Sequence, residues 1–104
     1  MAKPIIWSRT AQKDRLNILD YWAKRNKSIA YSKKLNLLFE QTAEFVRKYP
    51  QIGKRTEIAQ VRFKVVQHYL FTYRETEEHI EILTIWDSRR DPDHFDRIIK
   101  LSSR

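Results

Sequence analysis

The stretch of sequence that decides the fold is residues 61–92, VRFKVVQHYLFTYRETEEHIEILTIWDSRRDP. Its first run, residues 61–66, alternates apolar side chains with Arg62 and Lys64. A period of two residues is typical of a strand with one buried face. We therefore predict that these two basic side chains lie on the face of the sheet opposite to the buried one.

Two more strands follow in the same stretch. Residues 69–74 alternate aromatic with other side chains, and we predict that the aromatic ones belong to the core. Residues 80–86 are β-branched or aromatic on both faces, which is typical of a central, well-buried strand. Because Gln67-His68 and residues 75–78 supply polar turns, the stretch predicts a three-stranded meander.

The N-terminal half predicts a short strand followed by two helices. Residues 3–8 form the strand candidate, and Ser8 is a suitable N-cap for a helix that runs to about Lys24. Ser28 is the predicted cap of a second helix, whose apolar positions step by three and four until Pro50 ends it. Such a helical hairpin can cover one face of the meander.

The C-terminal part completes the predicted order of elements. Residues 51–60 read as a loop, and Asp91-Pro92 is a helix-start pair before a short amphipathic helix. The order β-α-α-β-β-β-α does not alternate strands with helices as a doubly wound sheet does. The predicted fold class is α+β, an antiparallel sheet with an N-terminal helical hairpin packed on one face, in a single domain over residues 1–104.

Composition limits the classes of function. Lys and Arg outnumber Asp and Glu by 21 to 13, and the net charge of +8 predicts attraction to a polyanion or to an acidic protein surface. The sequence has no Cys, no apolar run near ~20 residues and no signal-peptide pattern. We therefore expect a cytoplasmic protein without disulfides or a membrane span.

The candidate functional residues are cations at strand ends and in loops, where functional groups on a rigid sheet tend to lie. Guanidinium and ammonium groups suit phosphate or a carboxylate-rich surface. The basic residues that we predict to contact a target are Arg62, Lys64, Arg89, Arg90 and Lys54.

Each of these cations also has a purely structural interpretation. Arg62 and Lys64 fit a solvated sheet face equally well, and Arg89 is within reach of an ion pair with Asp87. No histidine spacing indicates a metal site, and no glycine-rich loop indicates a phosphate-bearing cofactor. We therefore predict neither a metal nor a cofactor.

Several segments, taken in order, resemble one known superfamily. They are IIWSRTAQKDRLNILDYW (5–22), AYSKKLNLLFE (30–40), the YP-x-x-G helix end (49–53), VRFKVVQHYLFTY (61–73) and IWDSRRDP (85–92). Together they resemble the RelE/ParE superfamily of toxins from type II toxin-antitoxin modules. The resemblance implies a small α+β toxin that a co-expressed antitoxin holds inactive.

The superfamily divides by target. The resemblance implies that RelE-like members cut mRNA in the ribosomal A site, whereas ParE-like members poison DNA gyrase and cut nothing themselves. Two positions where the nucleases carry an arginine and a tyrosine are Leu70 and Phe95 here. Leucine cannot bind phosphate and phenylalanine cannot transfer a proton. The ParE branch is therefore favoured, with Arg89, Arg90 and the helix from Pro92 as contacts with gyrase.

Two alternatives stay open at this point. The first is a ribosome-dependent endoribonuclease, in which Arg62, Lys64 and Arg89 hold phosphates and His94 or His68 moves protons. The second is a repurposed relative that only binds its partner. In each case the expected antitoxin offers an acidic or amphipathic segment, either to the groove of the helical hairpin or to a sheet edge.

Overall fold

The computed structural model of the chain describes residues 3–90 and 92–102. The predicted α+β fold class is confirmed, and none of the helices over these residues is long and apolar enough to cross a membrane. In chain order the elements are β1 (Ile5–Trp7), α1 (Arg9–Asn26), α2 (Ala30–Lys48), β2 (Lys54–Arg55), β3 (Val61–Val66), β4 (Tyr69–Glu75), β5 (Ile80–Asp87) and α3 (Pro92–Ser102).

The strands form one sheet in the order β1-β5-β4-β3-β2. The meander β3-β4-β5 is antiparallel as predicted. At one edge β1 runs parallel to β5, with Ile5 opposite Ile80 and Trp7 opposite Ile82, so the sheet is mixed. At the other edge, the two-residue strand β2 lies within the predicted loop and pairs with β3. All three interior strands, β5, β4 and β3, belong to the meander.

Ser8 fixes the start of α1 on the sheet. Its hydroxyl accepts a hydrogen bond from the backbone N–H of Ala11 at 3.0 Å, which confirms the predicted N-cap. The same hydroxyl donates to the carbonyl of Leu83 at 2.8 Å, and the Ser8 N–H donates to the carbonyl of Ile82 at 2.9 Å. One residue therefore caps the helix and ties it to β5.

The predicted cap of the second helix is displaced by one residue. The N-cap of α2 is Ile29, which has no side-chain capping bond, and the Ser28 hydroxyl accepts one N–H from Ala30 at 3.2 Å. At its other end α2 finishes at Lys48, two residues before Pro50. The proline therefore ends the helix as predicted.

The main core lies between the helical hairpin and one face of the sheet. Leu35 and Phe39 of α2 are fully buried, and they pack with Tyr69, Phe71 and Tyr73 of β4. The prediction that the β4 aromatic residues belong to the core is confirmed. Their burial is the main source of the apolar stabilisation of this face.

Arg15 joins the two helices to each other and to the sheet. Its Nε donates to Asn36 Oδ1 at 2.7 Å and its Nη2 donates to Glu40 Oε1 at 2.8 Å. Its guanidinium carbon lies 4.7 Å from the centroid of the Trp7 ring, within the range of a cation–π contact. A single side chain thus connects α1, α2 and β1.

A second, smaller core lies on the opposite face of the sheet. Trp86 of β5 packs there with Phe95 and Ile99 of α3. Trp86 is buried, as predicted. The predicted helix-start pair falls partly outside the described residues, because Asp91 is not among them; α3 begins at Pro92.

The prediction for Arg62 and Lys64 is wrong about the face on which they lie. Directly opposed residues of antiparallel strands project on the same face. Arg62 is opposite Tyr73 and Lys64 is opposite Phe71, so both lie on the face that the helices cover. Lys64 Nζ is 6.0 Å from the centroid of the Phe45 ring on α2. Because β3 is near the edge of the sheet, these long side chains lie along the rim of the core.

Arg62 and Tyr73 hold the loop after α2 against the sheet. The Gly53 N–H donates to the Tyr73 hydroxyl at 2.9 Å, and that hydroxyl donates to the carbonyl of Pro50 at 2.7 Å. Arg62 Nη1 donates to the carbonyls of Gly53 at 3.0 Å and Gln51 at 3.3 Å. Burial raises the pKa of the Tyr73 hydroxyl, so it stays neutral and serves both bonds.

This loop generates a prediction about Gly53. A Cβ at this position would lie 2.7 Å from the Tyr73 hydroxyl oxygen and 2.8 Å from the Phe63 carbonyl oxygen. We expect Gly53→Ala to lower the free energy of unfolding by about 1–3 kcal/mol, the usual cost of overpacking. Urea unfolding measures the change. In a Tyr73→Phe background the loss should be smaller, whereas a gain of about 0.4–1 kcal/mol, typical of an unstrained Gly→Ala change, would contradict the contact.

Candidate functional site

A cleft of about 350 Å³ opens between α1 and the second half of β5. It exists because β1 pairs only with Ile80–Ile82, so the rest of that edge of β5 has no neighbouring strand in the described sheet. Ile18 and Tyr21 of α1 line one side of the cleft. Tyr69 and Ile85 line the other side, and the turn after β5 closes one end.

Asp14 closes the open edge of β5. Its Oδ2 accepts a hydrogen bond from the Thr84 hydroxyl and another from the Ile85 backbone N–H at 3.1 Å. Burial raises the pKa of the Asp14 carboxyl, while the two hydrogen bonds oppose that shift. The carboxyl oxygen accepts the N–H that a strand carbonyl would otherwise accept. The spacing between α1 and β5 is therefore fixed by a specific contact.

Arg89 is held by Asp87. Asp87 Oδ1 accepts from the Arg89 backbone N–H at 2.9 Å and from its Nε at 3.0 Å, and Oδ2 accepts from Nη2 at 2.8 Å. The side-chain hydrogen bond from Arg89 lowers the pKa of Asp87 to about 2. The structural interpretation of Arg89, an ion pair with Asp87, is thus observed.

Arg90 is held differently. Its guanidinium carbon lies 5.6 Å from the centroid of the Trp86 ring. Within residues 3–90 and 92–102, this guanidinium donates no hydrogen bond and forms no ion pair with a carboxylate. Its positive charge is one of the contributions that oppose the rise which burial causes in the pKa of Asp14, which places Arg90 within electrostatic reach of the cleft.

The other predicted contact residues lie at the far edge of the sheet. Arg62 on β3 is opposite Tyr73 of β4, whereas Asp87 on β5 is opposite Tyr69 of β4. The two residues are therefore separated by four positions along β4 and by two strand spacings across the sheet. Standard strand geometry puts the backbones of Arg62 and Asp87 roughly 16 Å apart. Lys54 lies farther out still, exposed on β2. The five predicted contact residues therefore lie in two separate regions of the sheet.

The two candidate histidines lie in different places: His94 does not lie with Arg62 and Lys64, and His68 lies beside the turn after β5, where its backbone carbonyl accepts from the Ser88 N–H at 2.9 Å. The His94 ring stacks on Trp86 at 5.2 Å, on the face of the sheet opposite to Arg62 and Lys64. The His68 ring is half-buried 4.3 Å from the Tyr69 ring, rather than exposed in the turn. The cations and His94 proposed for a nuclease therefore do not face one another.

Sequence reasoning missed the contribution of α1 to the cleft. Asp14 follows Ala11 by three residues and precedes Ile18 by four, so it occupies the apolar stripe of the helix. A carboxylate on a buried stripe requires a partner. That signal was present in the sequence, but the partner, a backbone N–H of β5, was not visible without the topology.

A family model matches the chain from the start of β1 to the start of α3. Residues 5–92 match a family described as the ParE toxin of the type II toxin-antitoxin system, parDE. The chain belongs to the ParE toxin family. The match to the ParE family includes every residue that lines the cleft and leaves out most of α3. The predicted ParE branch of the superfamily is therefore confirmed.

One solved structure supports the ParE fold. It is described as the chromosomal ParDE TA system from P. aeruginosa, with a TM-score of 0.72 and 18% sequence identity. The alignment covers 83% of this chain and 96% of that chain. At this identity the likeness concerns the fold alone. Among curated proteins, no sequence matches the chain.

The ion pair at the end of β5 generates a prediction about the titration of Asp87. Because Arg89 lowers the pKa of Asp87 from 3.8 to about 2, the pair stabilises the fold above pH 3.8 and loses this contribution as the pH falls toward 2. In carboxyl-detected NMR we expect the Asp87 titration midpoint to return toward 3.8 in Arg89→Gln. Arg90→Gln is the matched control and should leave the midpoint near 2. Equal effects of the two substitutions would contradict the assignment of the pair.

Proposed function

We propose that this ParE-family chain acts by binding DNA gyrase and that its antitoxin neutralises it. Family membership supports the toxin role, and the superfamily resemblance supplies gyrase as the target. The observation that carries the proposal is the cleft beside β5, a preformed recess whose lining includes Arg90, an arginine without an ion pair within the described chain. A recess of this kind suits the recognition of a protein surface.

Binding is favoured over RNA cleavage by the positions of the substituted residues. Leu70 and Phe95, which stand where the nucleases carry an arginine and a tyrosine, both pack in the small core around Trp86. They stabilise the position of α3 and have no group that holds phosphate or moves a proton. Together with the separation of His94 from Arg62, this weakens the endoribonuclease alternative.

The helical hairpin is the better candidate for antitoxin binding than the sheet edge. Leu16 on α1 is 68% exposed and Leu37 on α2 is 53% exposed, so each helix of the hairpin presents a large apolar side chain to solvent. The edge strand β2 instead presents Lys54 and Arg55, both exposed, and charged edges resist strand addition. An amphipathic antitoxin segment would therefore bury its apolar face on the hairpin.

The test of the target uses two parallel assays with the purified chain. We expect inhibition of supercoiling of relaxed plasmid by gyrase, and intact message when the chain is added to ribosomes loaded with mRNA. The physical reason is that the chain binds a surface and lacks assembled groups for phosphodiester cleavage. Cleaved message together with undisturbed supercoiling would refute the gyrase proposal and restore the nuclease alternative.

The same supercoiling assay tests the antitoxin surface. With the double substitution Leu16→Lys and Leu37→Lys, the chain should still inhibit gyrase, but its antitoxin should no longer relieve the inhibition. The control is Lys54→Glu with Arg55→Glu, which changes the sheet edge and should leave relief intact. If the antitoxin still relieves inhibition by the Leu16/Leu37 variant but not by the Lys54/Arg55 variant, the antitoxin does not bind the hairpin, and strand addition at the sheet edge is supported instead.

A further inference from the structure

The charged groups around the cleft are not equivalent. Asp87 and Arg89 neutralise each other through a bidentate ion pair. Asp14 uses one carboxyl oxygen for Thr84 and the Ile85 N–H. Arg90 is then the one guanidinium lining the cleft that has no hydrogen-bonded acceptor in the described chain.

Trp86 positions Arg90 without using its hydrogen-bond donors. A guanidinium that lies over an aromatic ring keeps its N–H groups at the edge of its plane, where they can donate to a carboxylate in pairs. Trp86 is in turn held by its packing against Phe95 and by the His94 ring stacked on it at 5.2 Å. Arg90 is therefore preorganised by a fixed ring, which lowers the entropic cost of binding an anion.

The rest of the cleft suits the apolar stem of a side chain. Ile18 and Ile85 contribute aliphatic surface, and Tyr21 is 50% exposed beside them. A volume of about 350 Å³ is enough for a side chain and is too small for a folded segment. The lining thus combines an apolar recess with one available cation beside it.

We propose, building on the proposed function, that the cleft binds a single carboxylate side chain on the protein surface of the target, with Arg90 as its ionic partner. Arg89 is the less available of the two arginines, because its Nε and Nη2 already donate to Asp87. The occupant is a protein carboxylate and not a nucleic acid backbone, because the cleft lining offers one guanidinium without a hydrogen-bonded acceptor in the described chain, and a run of phosphates needs several cations. The other predicted contact residues, Arg62, Lys64 and Lys54, lie toward the far edge of the sheet, so they do not extend the site along a phosphate chain.

The test begins with a probe that does not depend on gyrase. We expect N-acetyl-glutamate amide, at millimolar concentration, to shift the NMR signals of Arg90 Nε, Tyr21 and the Ile85 amide in the intact chain. N-acetyl-glutamine amide should not shift them, and Arg90→Gln should abolish the effect of the glutamate probe. Lys34→Gln is the matched control, with the same loss of charge at an exposed position of α2, and should keep the response.

Two outcomes of this titration would overturn the proposal. The first is the absence of shifts in the cleft. The second is an equal response to inorganic phosphate, since that would make the cleft a general anion site.

The second part of the experiment measures affinity for purified gyrase without DNA. Arg90→Gln should weaken binding roughly 10- to 100-fold, as expected for one charge-assisted hydrogen-bonded contact. Lys34→Gln should change it less than threefold. If Arg90→Gln weakens binding to gyrase only when DNA is present, Arg90 contacts a phosphate and not a protein carboxylate, which would overturn the proposal. If the wild-type chain binds the glutamate probe but not gyrase, the target proposal fails while the carboxylate site stands.

Discussion

The contact between the Asp14 carboxyl group and the open edge of β5 is the constraint on which the rest of the structure depends. Strand β1 is three residues long and covers only the first part of β5. Beyond it, Thr84 is buried and its hydroxyl donates to Asp14, as does the Ile85 N–H. Leaving one such buried donor unpaired costs about 1–3 kcal/mol. The helix therefore completes the sheet edge with a side chain where a strand is missing.

This arrangement explains why a cleft and two unlike arginines occur together. A longer β1 would have filled the space beside Ile85, and α1 would have packed farther from the end of β5. With the short strand, the turn after β5 projects beside α1, and Arg89 and Arg90 lie at the end of the resulting recess. Asp87 fixes the first arginine, and the Trp86 ring supports the second. The small core under α3 thus contributes indirectly to the recess.

Much of the fold could be predicted because its signals are local. The cap at Ser8, the helix end before Pro50 and the buried aromatic residues of β4 each follow from neighbouring residues. The face on which Arg62 lies could not be predicted in the same way. A period of two separates the side chains of a strand into two sets, but it does not say which set the helices cover. Here the helices cover the face that carries the aromatic residues of β4, and Arg62 lies on that face because it is opposite Tyr73.

The candidate site was less accessible from sequence because it depends on long-range pairing. The parallel register of β1 with β5 joins residues about seventy-five positions apart, and no local pattern encodes it. Arg89 and Arg90 are adjacent in sequence and chemically identical, yet one is paired and the other is not. Only the positions of Asp87 and Trp86 relative to the turn distinguish them.

Native-state hydrogen exchange at the Ile85 amide tests the central contact most directly. We expect Asp14→Ala to accelerate exchange at Ile85 at least tenfold beyond its effect on the Gly53 amide, which is bonded to Tyr73. Asp20→Ala removes an exposed carboxylate from the same helix and should leave both amides unchanged. If the Ile85 amide exchanges at the same rate in the Asp14→Ala and wild-type chains, the carboxyl group does not close the edge of β5.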